Sequence, residues 1–578
     1  MNTSRKEFER WLSSPALTEE ERASLLAISE NHDEIELRFG APMSFGTAGL
    51  RSTMHLGQGC MNRFTVAQTT AAMASLVLRS GGAERGVAVA YDSRNNSRAF
   101  AETGASVLAA AGVKVYLFDG VRPTPELSFS IRDLGAIAGI NITASHNPKE
   151  YNGYKAYWED GAQISPAQAE IVSQEMSKID VLGEIPSLPL EDAIRAGKVI
   201  MLGEDYDERY LAAVLKTAIN PDAIAAVAED LRIVYTPLHG AGYRLVPEIL
   251  SRIGMKHLYT VPSQMTPDGN FPTVKKPNPE YADVFKPGIE IANEVGSDLI
   301  IATDPDADRV GVMSRTRSGD FATITGNQMG ALLLDYVIRQ KRQKGQLTRD
   351  DYAVKSIVST SLASAIAAKQ GVRLYDVLTG FKYIGEVIYG YERENKPGNF
   401  LMGFEESYGY LFGSYARDKD AVGATMMIVE MTAYYRARGL TLSDALLQLY
   451  AEYGNYREGM IDIYMEGLDG IERRRRVMQS LRDSAPRVLG GVSVSRVADY
   501  LTGVECSLSG GDETPIDLPK SDVLTFILVS GDRVIVRPSG TEPKIKIYLL
   551  VSAATSAAAE EKLAALAADA KALAELPD

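Results

Sequence analysis

Three times along this 578-residue chain, an apolar run of strand length is followed by a helical period, a glycine and a second apolar run. The first copy is Val87 to Tyr91, a helix through Leu108, then Gly112 to Tyr116. The second is Ile233 to Tyr235, a helix ending near Ile253-Gly254, then Lys256 to Tyr259; the third is Val354 to Val358, a helix through Lys369, then Gly371 to Tyr375. Each copy reads as a βαβ unit with a parallel pair of strands. In each, a further helix leads to a third apolar strand: Ala136 to Ile142, Leu299 to Ala302, and Phe400 to Met402. Those strands run into three polar loops, Thr143-Ala144-Ser145-His146-Asn147-Pro148, Asp304-Pro305-Asp306-Ala307-Asp308-Arg309 and Gly403-Phe404-Glu405-Glu406-Ser407-Tyr408-Gly409. Ligands of α/β sheets sit outside the carboxyl ends of the strands. Three copies that all place their polar residues there imply one shared cleft.

The last part of the chain breaks the pattern. Val523 to Val529 and Arg533 to Val536 flank Ser530-Gly531-Asp532 as a hairpin, Ile545 to Val551 is another strand, and the Ala-rich run Ser556 to Leu576 is a helix. The expected class is therefore α/β: three related domains with mixed, largely parallel sheets around the cleft, plus a C-terminal α+β domain. Boundaries are expected near 208, 325 and 460, giving domains 1–208 (with an N-terminal helical extension), 209–325, 326–460 and 461–578. Arg473 to Arg476 read as a solvated helix face.

Charge and composition exclude several classes of partner. A net charge of −14 argues against nucleic acid, so an anionic substrate must be captured by local Arg and Lys clusters. Cys60 and Cys506 are the only cysteines, which encodes no disulfide framework. Met1 to Arg10 has no apolar signal core, and no stretch approaches the ~20 apolar residues of a membrane span. A cytoplasmic protein with no membrane partner is expected.

The loops carry chemistry that their residue types define. Ser145 lies beyond a strand on an exposed turn, without the G-x-S-x-G of a hydrolase elbow. Group transfer by such a serine needs donors for anionic oxygens and a base. Asp304, Asp306 and Asp308 repel one another on one turn, and a hard divalent cation relieves that repulsion. An EF-hand fails, because its glycine and glutamate positions hold Arg309 and Arg315. A rival reading takes Asp304 as the nucleophile of a haloacid-dehalogenase-like phosphatase, but it leaves the serine loop unexplained. Glu405 and Ser407 suit vicinal sugar hydroxyls, and Arg537, Ser539, Gly540 and Thr541 suit a dianionic phosphate.

With these four loops in this order, the chain resembles the α-D-phosphohexomutases, near their phosphoglucomutase and phosphopentomutase branch. The resemblance spans nearly the whole chain. It implies that Ser145 is the phosphorylated serine and that Mg²⁺ is held by Ser145 with Asp304, Asp306 and Asp308. It leaves His146 and Lys155 as unranked candidates for proton handling. It places Arg51 (of Phe45 to Arg51), Arg309, Gly380, Lys382, Glu405, Ser407 and Lys419 on the substrate, with Gly380-Phe381-Lys382 as the specificity loop. It gives Arg537, Ser539, Gly540 and Thr541 the phosphate that is not reacting. The implied activity is interconversion of glucose 1-phosphate and glucose 6-phosphate through glucose 1,6-bisphosphate, which serves as intermediate and activator. Phosphopentomutase and phosphomannomutase are the alternatives; Tyr408-Gly409, where mannose-accepting members often carry histidine, favours the glucose and pentose branch. The expected partners are small-molecule sugar phosphates, and the expected state a monomer or weak homo-oligomer. Of the other histidines, His239 has no matching partner in the sequence, and His32, His55 and His257 read as surface or packing residues.

Overall fold

The computed structural model describes residues 3–46, 49–465, 470–539 and 544–574. The three copies build three sheets with one shared pattern. In the first, Val87–Tyr91 lies between two parallel neighbours, Val115–Phe118 and Ala138–Ile142, and Tyr151–Trp158 runs antiparallel beside the latter. In the second, Arg232–Thr236 lies between His257–Thr260 and Leu299–Thr303, with Val310–Arg315 antiparallel. In the third, Tyr352–Ser356 lies between Arg373–Val377 and Phe400–Glu405, with Gly409–Leu411 antiparallel. The central strands of the first two sheets are apolar and buried because helices cover both faces. Every third strand hands the chain to one of the polar loops and takes it back on the antiparallel fourth.

Two kinds of expected boundary moved. The second strands of the first and third copies begin at Val115 and Arg373, not at Gly112 and Gly371. Both glycines are left-handed, with φ of 81° and 67°, and the next residues, Val113 and Val372, donate back to Leu108 and Ala367. The glycine closes the helix and opens nothing. The first strand of the third copy is Tyr352–Ser356, two residues earlier than its apolar run. Ile357 and Val358 are apolar for another reason: they pack with Leu378 on Val523, Ile535, Tyr548 and Leu550 of the last domain.

That last domain is an antiparallel sheet in the order Asn455–Tyr464, Lys544–Ala553, Arg533–Pro538, Leu524–Leu528, Val492–Asp499, Val504–Ser507 and Glu513–Pro515. Its first strand pairs with Lys544–Ala553 along its whole length and crosses the boundary expected at 460. The boundary expected at 208 falls inside the helix Glu204–Leu215, while Thr325 caps the helix Gly326–Gln343. The Ala-rich helix runs Ser556–Ala572, and Leu576 lies outside the described residues. Of the four arginines, Arg473, Arg475 and Arg476 are exposed; Arg474 is half-buried and donates Nη1 to the Ser539 carbonyl at 3.2 Å.

One apolar core runs through the first three domains, from Phe118 and Phe129 past Tyr210 and Tyr235 to Leu333, Phe404 and Met427. The fourth domain has its own core around Phe526, Val534 and Leu549. Among the described residues no helix is long and apolar enough to cross a membrane.

Candidate active site

The serine loop is clamped from behind. Arg94 and Asp92, just past the first strand, form a fully buried pair, Nε to Oδ2 3.3 Å. The Arg94 guanidinium donates to the carbonyls of Ser145 and Asn147, and to those of Pro148 at 2.8 Å and Tyr151 at 3.1 Å. Asp92 in turn accepts from Thr143 Oγ1 at 2.6 Å, and Thr143 Oγ1 accepts from the Ser145 N–H at 2.8 Å. So held, Ser145 takes a left-handed φ of 52°. Ala307 in the aspartate loop (48°) and Tyr408 in the sugar loop (67°) do the same. Strained non-glycine residues persist where surrounding contacts over-determine them.

The Ser145 hydroxyl donates to Asp304 Oδ2 at 2.7 Å, and its Oγ lies 3.1 Å from His146 Nδ1. The serine of the first domain is thus inside the acid cluster of the second. One ligand oxygen from each of Asp304, Asp306 and Asp308 falls within 4.8 Å of the others. The remaining contacts divide the carboxylate oxygens in two. Asp304 Oδ1 accepts from the N–H groups of Asp308 and Arg309, at 3.1 and 3.0 Å. Asp306 Oδ2 accepts from Lys155 Nζ and Thr124 Oγ1, both at 2.8 Å. Asp308 Oδ2 faces Lys155 Nζ at 3.3 Å and Lys419 Nζ at 3.2 Å. Asp306 Oδ1 and Asp308 Oδ1 are buried with no hydrogen-bond partner among the described residues, and Arg309 Nε lies 3.8 Å from the latter. Two buried carboxylate oxygens without a hydrogen bond, beside Ser145, are donors that a hard divalent cation takes, and the aspartates fit one.

Three helices aim their amino ends at this loop. The carbonyls of Pro305, Asp306 and Ala307 accept from Ala241 (2.7 Å), Thr124 (2.8 Å) and Ala421 (3.1 Å), each at the start of a helix and each from a different domain. Their positive ends favour the negative charge held there. Burial, with Asp306 and Asp308 adding to it, pushes the Asp304 carboxyl well above its ordinary range. Burial opposes charge on Asp306 too, but Lys155, then hydrogen bonding with Asp304 and Thr124, outweigh it and hold that carboxyl far below. Lys155 is correspondingly an ammonium: burial alone would lower it, and Asp306 and Asp308 raise it. Burial, then the charges of Arg309 and Arg51, keep His146 neutral.

The other expected residues gather around this centre. Arg51, on Leu50–Thr53, donates Nη1 to Asn147 Oδ1 at 3.2 Å. Lys419 pairs with Asp418 at 2.7 Å and lies 5.4 Å from the Phe381 ring. Gly380 donates its N–H to Glu405 Oε1 at 2.7 Å, so the two expected substrate loops of the third domain are tied to one another. The Tyr408 carbonyl accepts from Val310 at 3.1 Å, which ties the sugar loop to the aspartate loop. Ser407 and Lys382 are half-buried; the Lys382 ammonium lies 4.8 Å from the Tyr383 ring. Arg309 has its guanidinium on Glu280, Nη1 to Oε1 2.7 Å. In the fourth domain the charge of Arg537 acts on Tyr383 and Glu406 of the third, and Ser539 is buried. Gly540 and Thr541 lie outside the described residues, as do Thr47 and Ala48 of the Arg51 motif.

Sequence reasoning missed Asp92, Arg94, Thr124, Asn141, Glu280 and Asp418. Asp92 and Arg94 were within reach of the same carboxyl-end rule, applied to the first strand instead of the third. His239 is 2% exposed and does have partners: Nε2 lies 2.9 Å from Thr273 Oγ1 and Nδ1 3.2 Å from the Thr266 carbonyl. It holds a loop in place.

Comparison with known proteins agrees with this architecture. Four family models match in order: phosphoglucomutase/phosphomannomutase alpha/beta/alpha domain I over 42–182, domain II over 208–319, domain III over 325–453, and the C-terminal domain over 494–570. A phosphoglucomutase of Staphylococcus epidermidis is 38% identical over 530 residues, 91% of this chain and 93% of that protein. One of Staphylococcus aureus is 37% identical over 525 residues, 90% of this chain and 92% of that protein. Among solved structures, a putative phosphomannomutase of Thermus thermophilus aligns with a TM-score of 0.67 at 22% identity, covering 93% of this chain and all of that one. The parafusin phosphoglucomutase of Paramecium, in its open form, also gives 0.67, at 17% identity, over 93% and 95% of the two chains. With its four domains matched in order and relatives more than a third identical along nine-tenths of its length, the chain belongs to the phosphoglucomutase/phosphomannomutase family of the α-D-phosphohexomutases and is a mutase of the isomerase class.

Proposed function

We propose that this mutase interconverts glucose 1-phosphate and glucose 6-phosphate through a phosphoserine at Ser145 and a bound glucose 1,6-bisphosphate. The observation that carries the reading is the Ser145 hydroxyl, seated 2.7 Å from Asp304 and 3.1 Å from the neutral ring of His146. In the first transfer, the free sugar hydroxyl forms a bond to phosphorus as the bond from phosphorus to Ser145 Oγ breaks. The hydroxyl proton leaves to a base, and the product is the bisphosphate. After the sugar turns, its other phosphoryl group returns to Ser145 Oγ and the departing sugar oxygen takes up a proton. His146, beside Oγ, is the group placed to exchange that proton; Lys155, locked between two carboxylates, steadies charge. Mg²⁺ held by Asp304, Asp306 and Asp308 would supply neutralising charge for the phosphoryl oxygens. Glu405 and Ser407 would grip sugar hydroxyls reachable in both orientations. Arg537 and Ser539 would hold the phosphate not in transfer, against Tyr383 and Glu406 of the third domain. The relatives named phosphoglucomutase support glucose over pentose or mannose phosphates.

A coupled assay on glucose 1-phosphate, mannose 1-phosphate and ribose 1-phosphate tests the substrate, with the largest kcat/KM expected on glucose. Intact-mass analysis of the purified protein should show one added phosphate on the peptide bearing Ser145. Ser145→Ala should lower turnover by several orders of magnitude. Near-normal turnover in that variant, or phosphate on an aspartate, would overturn the reading.

A further inference from the structure

Thr124 opens the helix Thr124–Leu134 of the first domain and is completely buried against the aspartate loop of the second. It holds Asp306 twice, by its N–H to the carbonyl and by Oγ1 to Oδ2, both at 2.8 Å. Behind it, Asn141 donates Nδ2 to Thr124 Oγ1 at 2.7 Å. A hydroxyl has one hydrogen to give. With Asn141 already donating to the threonine oxygen, that hydrogen has one acceptor left, the Asp306 carboxylate. Asn141 is also the cross-strand partner of Lys155, so one face of one sheet supplies both the amide that holds Thr124 and the ammonium that reaches Asp306.

Lys155 cannot fix Asp306 alone. Its ammonium is shared with Asp308 at 3.3 Å, so it answers both carboxylates and singles out neither. Thr124 is short, β-branched and anchored through its own backbone to the same residue, which leaves its hydroxyl little freedom. With Oδ2 taken by two donors, Oδ1 is the oxygen left bare.

We propose that Thr124, oriented by Asn141, is a positioning residue that sets which oxygen of Asp306 faces the divalent cation. It makes the metal geometry of the second domain depend on docking of a helix from the first. The inference rests on the metal reading of the three aspartates and adds to it the residues that aim one ligand. Partners that orient a ligand typically govern metal affinity as strongly as activity.

The test is titration of Mg²⁺ by calorimetry into wild type, Thr124→Val and Thr124→Ser, with kcat and KM for glucose 1-phosphate measured alongside. Thr124→Val keeps the shape and removes the donor; its Mg²⁺ Kd should rise by about ten- to a hundredfold. Its kcat should fall while KM stays within about twofold. Thr124→Ser keeps the donor and should restore both, which a pure packing role would not do. Asn141→Leu should give a smaller loss in the same direction. The double variant with Thr124→Val should be no worse than Thr124→Val alone, because the two act through one hydrogen. An unchanged Kd in Thr124→Val, on a wild type that binds Mg²⁺, overturns this inference alone. Wild type that binds no Mg²⁺ overturns the metal reading and takes the inference with it. Should Thr124→Val fail to fold by circular dichroism, Asn141→Leu decides, and an unchanged Kd there is the overturning result.

Discussion

Asp306 accepts on one carboxylate oxygen, offers the other bare, and bonds through its carbonyl to a helix of another domain. A buried carboxylate oxygen left unmatched costs about 1–3 kcal/mol, so an unliganded cluster is poised to take a cation. Asp306→Asn preserves the outline but removes the charge that Lys155 and the metal share. Mg²⁺ affinity and turnover should fall together, each by at least about tenfold. Chelation should silence the wild type and added Mg²⁺ restore it. Full activity in excess chelator, with no metal found by elemental analysis, would remove the aspartates from metal binding.

At the scale of the element, the loop works because helix ends can come close to it. The amino end of the helix Gly242–Arg252 reaches Pro305 only because Gly240 has no side chain. A Cβ on Gly240 would lie 2.4 Å from Pro305 Cα and 2.9 Å from the Asp304 carbonyl oxygen, both backbone atoms that cannot step aside. Gly240→Ala should therefore push the helix from the loop and lengthen the Ala241 to Pro305 hydrogen bond. Overpacking of this kind costs about 1–3 kcal/mol. The expected outcome is a lower Tm together with weaker Mg²⁺ binding. A Tm loss with unchanged Mg²⁺ affinity would show that the helix end supports the fold and leaves the loop geometry alone.

For the whole molecule, the seam between the first three domains is charged as well as apolar. Glu126, two residues into the helix that Thr124 opens, is completely buried, with both carboxyl oxygens lacking partners and Arg122 Nε 3.9 Å away. Around it are Arg122 and Asp119 of the first domain, Arg244 of the second and Asp420 of the third. Arg122 is engaged by Asp207 at 2.6 Å. Burial pushes the Glu126 carboxyl up to about 8, from 4.5 in the open chain; Arg122 and Arg244 oppose this and Asp420 and Asp119 add to it. Between those values the folded protein holds a proton that the unfolded chain has released. The contribution of this group is thus complete below about pH 4.5 and is lost as pH rises to about 8, on the order of a few kcal/mol. Glu126→Gln removes the dependence, so its Tm advantage over wild type should widen from pH 5 to pH 9. A constant difference across that range would mean the carboxyl is already ionised or already paired.

Some of this was legible in the residues alone. Strand and helix periods are local properties, and they gave the three copies, the fourth domain and the loops that follow each third strand. The three aspartates share one turn, so their mutual repulsion was visible at a spacing of two. What the sequence could not convey is which group across the cleft answers each of them. Thr124 and Asp306 are 182 residues apart, Ser145 and Asp304 159, and Lys155 and Asp306 151. A hydrogen bond between such residues leaves no periodicity, because it exists only after three domains have packed on one core. The same holds for Ile357 and Val358, whose apolar character belongs to a domain contact, and for the glycines at 112 and 371, which end helices where a strand was expected. Residue type and local order determined what chemistry the chain could hold; only tertiary packing decided which oxygens of Asp306 and Asp308 are left open for it.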